Sequence, residues 1–177
     1  LKRLRKVYHG LVAEWLIAQG EERAAEFNGL IAEHLHQAGQ EAEAGQYFLH
    51  AGETALQSYA NGEAEAHFRK ASELLPASPQ HASCLAGLGD VLGRLGRGKD
   101  AAPILRQAIE LYWEMGEHDR VAHLYTLLSQ VLWYSDFKNA WDTCQEGLMR
   151  LEGGLEGPGL ARLLAEAGRC AYFCCRP

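Results

Sequence analysis

Leu88-Gly89-Asp90-Val91-Leu92-Gly93-Arg94-Leu95-Gly96, followed at fixed distances by Ala101, Leu105 and Ala108, sets a pattern that recurs along the chain. From Gly89 the next marker lies twelve residues on, an apolar residue four later, and a second small residue three after that. The same offsets join Ala32, Ala44, Phe48 and Ala51, and again Gly52, Ala64, Phe68 and Ala71. A looser copy, Ser129, Ala140, Cys144 and Gly147, is one residue short in its first gap. Small side chains at matched offsets let two antiparallel helices approach closely, and repetition stacks such pairs into a superhelix. The expected fold is therefore all-α, an array of antiparallel helical hairpins with about eight helices.

Outward from this stretch, Gly, Asn and Pro punctuate segments with 3.6-residue apolar periodicity, and no alternating strand pattern interrupts them. A first helix over about residues 2–19 places Leu4, Tyr8, Leu11, Val12, Trp15 and Leu16 on one stripe, with Gly20 as its C-cap. Further helices are expected over about 22–38, 41–59, 62–75, 80–95, 98–115, 118–134, 137–152 and 160–175. Gly39, Pro76, Gly96, Gly116 and the Ser135-Asp136 pair separate them, and residues 153–159 form a glycine-rich loop. No boundary is long or polar enough for an inter-domain linker, so residues 1–177 are expected to form one array. Its start at Leu1 and its stop at Pro177, directly behind a helical pattern, read as a piece of a longer protein.

With 47% hydrophobic residues over 177, the chain can bury a substantial core. It shows neither a spanning apolar run nor a signal peptide, so a cytoplasmic location without membrane association is expected. Four positive charges, Lys2, Arg3, Arg5 and Lys6, open a chain whose net charge is −6. With no aromatic interleaving and no second basic patch, direct nucleic-acid binding is not expected. Five cysteines without a secretory signal are expected to be free thiols. Cys170 and Cys174 share a helix face beside Cys175, but no further ligands at metal-binding spacing accompany them, and no metal is expected.

Two motifs invite a nucleotide-binding assignment. Gly93-Arg94-Leu95-Gly96-Arg97-Gly98-Lys99 satisfies part of a phosphate-binding loop, but Asp100 stands where a magnesium-ligating hydroxyl is needed, and the preceding residues read as helix rather than strand. Gly87, Gly89 and Gly93 miss the dinucleotide spacing by one residue. No nucleophile elbow is present. No cofactor and no catalytic residue are expected within this segment.

The Leu88–Gly96 stretch with Ala101, Leu105 and Ala108 resembles the tetratricopeptide repeat, which asks for Leu-Gly in its first helix and Ala, a large apolar residue and Ala in its second. Phe48, Phe68 and Pro76 add to the likeness, whereas the early Trp of that repeat is missing and the later period is near 40 rather than 34. Armadillo- or HEAT-like stacking is the structural alternative. Residues 1–76 are also similar to the helices behind the nucleotide-binding module of bacterial multidomain signal-transduction ATPases. The likeness rests on His9-Gly10-Leu11-Val12-Ala13-Glu14, Ile31-Ala32-Glu33-His34-Leu35-His36-Gln37-Ala38-Gly39, Ala51-Gly52-Glu53-Thr54-Ala55-Leu56 and Tyr59-Ala60-Asn61-Gly62-Glu63-Ala64. Residues 77–177 match only as generic repeat. In that group a cyclase, a protein kinase or a DNA-binding domain supplies the output from elsewhere in the chain.

The resemblance implies a non-catalytic scaffold that binds a protein or peptide, or relays a signal, inside a transcription or signalling regulator. A self-association arm and a small-ligand sensor are the alternatives. The repeat's ligand-facing positions lie one, four and five residues after each small marker, here Ala32, Gly89, Ser129 and Gly168. Carried over, they give Glu33, His36 and Gln37; Asp90 and Arg94; Gln130, Trp133 and Tyr134; and Arg169, Tyr172 and Phe173 as the candidate partner-binding face. Trp133 and Tyr134 lead, since amphipathic aromatics dominate many interfaces.

Overall fold

A computed structural model describes the backbone of residues 2–19, 21–152 and 157–174, and the side chains of these except 21–26 and 174. Every regular element within them is an α-helix: α1 (Lys2–Ile17), α2 (Glu21–Ala38), α3 (Glu41–Gln57), α4 (Asn61–Leu74), α5 (Pro79–Arg94), α6 (Gly98–Glu114), α7 (His118–Leu132), α8 (Phe137–Arg150) and α9 (Pro158–Cys174). The expected C-cap Gly20, the loop over 153–156 and Cys175 lie outside the described residues, as does the side chain of Cys174. None of the described helices is long and apolar enough to cross a membrane. The chain divides into two compact units, Leu1–Val91 and Leu92–Pro177, and the division falls inside α5 rather than at a linker.

One turn closes four of the helices. At Gly39, Tyr59, Gly96 and Gly116 the backbone takes a positive φ, between 59° and 88°. The following amide reaches back five residues, as from Gln40 to the Leu35 carbonyl and from Arg97 to that of Leu92, both at 2.9 Å. The amide of the positive-φ residue itself bonds three residues back, as from Gly96 to Gly93 at 2.9 Å. This paired geometry satisfies the terminal carbonyls of the helix and reverses the chain within a few residues. Glycine enters it without steric cost, whereas Tyr59 carries a Cβ into the left-handed region. The turn before α8 is built differently, with Asp136 Oδ1 accepting the Asn139 amide at 3.0 Å as an N-cap.

In the first unit α3 lies antiparallel to α4, with Gly52 beside Phe68 and Gly45 beside Leu75. The small and apolar markers of this unit, Ala32, Ala44, Phe48, Ala51, Gly52, Ala64, Phe68, Ala71 and Gly89, are all buried. Phe68 explains why two of its neighbours are glycine. A Cβ on Gly52 would stand 2.7 Å from its ring, and one on Gly87 of α5 would stand 2.5 Å from it. The buried Cys84 thiol donates to the Phe68 carbonyl at 3.0 Å, and burial pushes that thiol up to about 12. It is a core hydrophobe rather than a reactive group.

In the second unit α6 and α8 run side by side at a constant offset of 40 residues. Arg106 pairs with Glu146 at 3.1 Å and Glu110 with Arg150 at 2.6 Å. α7 and α9 keep the same stagger, with the Gly159 amide bonding Asp119 Oδ1 at 2.7 Å and the Trp133 ring meeting that of Phe173 at 5.3 Å. The near-40 period read from the sequence is thus the residue offset between alternate helices, α6 with α8 and α7 with α9. Tyr125 sits at the centre, fully buried, with Gly147 against its ring and its hydroxyl donating to Glu146 at 3.0 Å. The turn resembling a phosphate-binding loop is an interhelical turn. A Cβ on Gly93 would strike the Val131 side chain at 2.5 Å and one on Gly98 the Val131 carbonyl at 2.9 Å, so α7 accounts for two of its glycines.

Candidate partner-binding site

Because α7 and α9 run parallel through the second unit, side chains from both open onto one groove of about 340 Å³. His123, Thr126, Leu127 and Gln130 line it from α7, and Arg162, Ala165, Glu166 and Arg169 from α9. Recurrence at i, i+3, i+4 and i+7 along both helices turns these residues to one face.

Glu166, 5% exposed, is the buried charge of this face. It accepts from the Ser129 hydroxyl at 3.2 Å and from Arg169 Nε at 2.9 Å, and a second Arg169 nitrogen closes a bidentate pair. The Cys170 thiol lies 3.9 Å away as a weak further donor. A buried carboxylate held this way is compensated, and its hydrogen bonds raise the Arg169 guanidinium above its ordinary pKa. Arg169 also lies over the Trp133 ring, 3.7 Å from its centroid. Beneath the groove the Cys144 thiol is pushed up to about 12 by burial, the weaker influence of Ser129 acting the other way. With the Glu166 charge answered by Arg169, Arg162 is the further cationic side chain of the lining.

The eleven sequence-predicted positions fare differently. Gln130 and Arg169 line the groove, whereas Trp133, Tyr172 and Phe173 are not in its lining and form a chain of edge-to-face rings. Trp133 is half-buried and also packs edge-on against Phe137 at 4.5 Å, so its ring is engaged in holding α7, α8 and α9 together. Tyr134 is 95% exposed. In the first unit Glu33 pairs with Lys70 of α4, while His36 and Gln37 are exposed near the end of α2. Asp90 is half-buried on α5, and Arg94 is exposed at its C-terminus.

The marker behind Arg169, Tyr172 and Phe173 needs correction. Gly168 is exposed with open space at its Cβ, and the buried small residue of α9 is Ala167, one position earlier. Thr126, Arg162 and Glu166 of the lining lie outside the expected positions, since the repeat's ligand-facing positions fall only downstream of each marker. One helical turn upstream of Ser129 leads to Thr126, and the 40-residue stagger carries Thr126 to Glu166.

Among the described residues no group of three or more His, Cys, Asp or Glu side chains is arranged to hold a metal ion. Compared with known proteins, the chain matches no family model and no curated protein sequence.

Proposed function

We propose that this chain is a non-catalytic helical-repeat scaffold that binds a protein or peptide segment in the α7/α9 groove. Its setting, on the resemblance of residues 1–76, is a cytoplasmic bacterial multidomain regulator of the signal-transduction ATPase type. The observation that carries the reading is the groove itself, with a compensated Glu166–Arg169 pair at its base and Gln130, His123 and Arg162 around it. The exposed surface of the groove is mainly apolar and is bordered by the hydrogen-bonding side chains of Gln130, Arg162 and Arg169, which suits an extended segment that brings both apolar and polar groups. Arg162 is the group for an acidic side chain of that segment, since its guanidinium matches a carboxylate bidentately.

The test is selection of short random peptides on the intact chain, followed by titration calorimetry of the enriched sequences. Acidic peptides should be enriched, and Arg162→Glu should weaken their binding by about tenfold or more, the equivalent of a lost charged contact. Enrichment without acidic character, or affinity indifferent to Arg162→Glu, would remove the groove from consideration.

A further inference from the structure

α1 meets the rest of its unit through a narrow face, with only Ala13 and Leu16 fully buried. Its opposite face holds Leu4, Val7, Tyr8, Leu11, Val12 and Trp15, each between 38% and 62% exposed. Leu4, Tyr8, Leu11 and Trp15 follow one another at spacings of four, three and four, the spacing of a coiled-coil seam. A soluble helix that turns such a stripe to water is an interaction surface.

We propose that this stripe is a homodimer interface in which α1 pairs antiparallel with α1 of a second copy about a twofold axis. The proposal is independent of the α7/α9 groove and of what that groove binds.

The seam identifies the occupant because it is self-complementary. An antiparallel pair centred between His9 and Gly10 sets Leu4 opposite Trp15 of the second copy and Tyr8 opposite its Leu11, and the twofold repeats both pairings. Each large ring then faces a leucine, and no layer crowds two rings together. A closed twofold contact requires this relation, in which one patch meets itself.

Charge agrees with the direction. Arg3 and Glu14 lie on the same flank of the stripe, so antiparallel pairing brings Arg3 of one copy beside Glu14 of the other. It also keeps the two basic helix starts, with Lys2, Arg3, Arg5 and Lys6, at opposite ends of the interface, each near the negative end of the facing helix dipole. A parallel pair would instead stack eight positive charges at one end.

The area suffices. Six large apolar side chains exposed to this degree offer roughly 700 Å² per copy, close to the roughly 800 Å² per partner of a standard stable interface. Beside the seam, Leu4, Arg5, Tyr8, His9, Val12 and His34 shape a mainly apolar groove of about 330 Å³. The Trp15 of the second copy, opposite Leu4, reaches its rim.

Sedimentation equilibrium of the full chain tests this directly. The wild type should run as a monomer–dimer system, and Leu11→Glu should be monomeric, its self-association weakened on the order of 100-fold by a charge at the seam centre. Leu11 is exposed in the single copy, so circular dichroism and melting temperature of the dilute variant should match the wild type. Direction is read from a charge exchange: Arg3→Glu alone should weaken the dimer several-fold, and Arg3→Glu with Glu14→Arg should restore it. A wild type that stays monomeric up to about 100 μM overturns the proposal. So does a dimer that survives Leu11→Glu, or one that Arg3→Glu strengthens, as parallel pairing requires.

Discussion

At the scale of single residues, the glycines divide by what a methyl group would meet. Alanine is worth about 1 kcal/mol more than glycine inside a helix, so any Gly→Ala change begins with that advantage. At Gly52 it is overturned, because the new Cβ would stand 2.7 Å from a Phe68 ring that Gly87 confines from the other side. Overpacking of this kind costs about 1–3 kcal/mol, and Gly52→Ala should be net destabilising by about 1–2 kcal/mol in urea titration. Gly168 has nothing within reach of its Cβ, so Gly168→Ala should stabilise by about 0.5–1 kcal/mol. Equal signs for the two substitutions would contradict this account. The sequence pattern identified Gly52 correctly because its offsets to Ala64, Phe68 and Ala71 repeat those of buried neighbours. It mistook Gly168 for a marker because a glycine in a helix reads the same whether it lets a ring approach or faces water.

Among elements, periodicity recovered all nine described helices to within about two residues, since turn residues and apolar spacing are local signals. Which face of a helix meets its neighbour is not local. α1 has a clear apolar stripe, yet α2 packs on the side marked by Ala13 and Leu16, and α7 was given only its downstream half of the groove. α4 shows a further consequence of lateral packing. His67 is half-buried, stacks on Phe48 of α3 at 5.9 Å and lies within 3.0 Å of the Cβ position of Gly29 in α2. Its buried Nδ1 has no hydrogen-bond partner among the described residues. Burial lowers its pKa, and the nearby Lys70 adds to the effect against the weaker pull of Glu63 and Glu33. The unfolded chain therefore takes up this proton at higher pH than the native state does. Stability tied to neutral His67 is complete above about pH 6.5 and declines as pH falls toward the lowered native value. Urea titrations at pH 7.5 and 5.5 should show a smaller loss for His67→Gln than for the wild type. An equal loss would assign the acid sensitivity to other groups.

On the scale of the whole molecule, stability in stacked helices follows from what each element shares with its neighbours, so it need not be uniform along the chain. α7 touches α6, α8 and α9, and eight of its residues are buried, from Val121 to Leu132. α1 stands at the other extreme, with two buried residues and α2 as its principal neighbour. Amide hydrogen exchange on the dilute chain should therefore find the highest protection in α7 and the lowest among the described helices in α1. Self-association through Leu4, Tyr8, Leu11 and Trp15 adds a second, concentration-dependent term, because pairing supplies α1 with the neighbour it lacks. Protection of residues 4–15 should rise with protein concentration in the wild type and stay flat in Leu11→Glu, while α7 should be indifferent to both. High protection of α1 at the lowest concentration would show that the single copy already stabilises this helix by other means. A concentration-dependent rise confined to another helix would move the interface there, and the exposed stripe on α1 would then need a different partner.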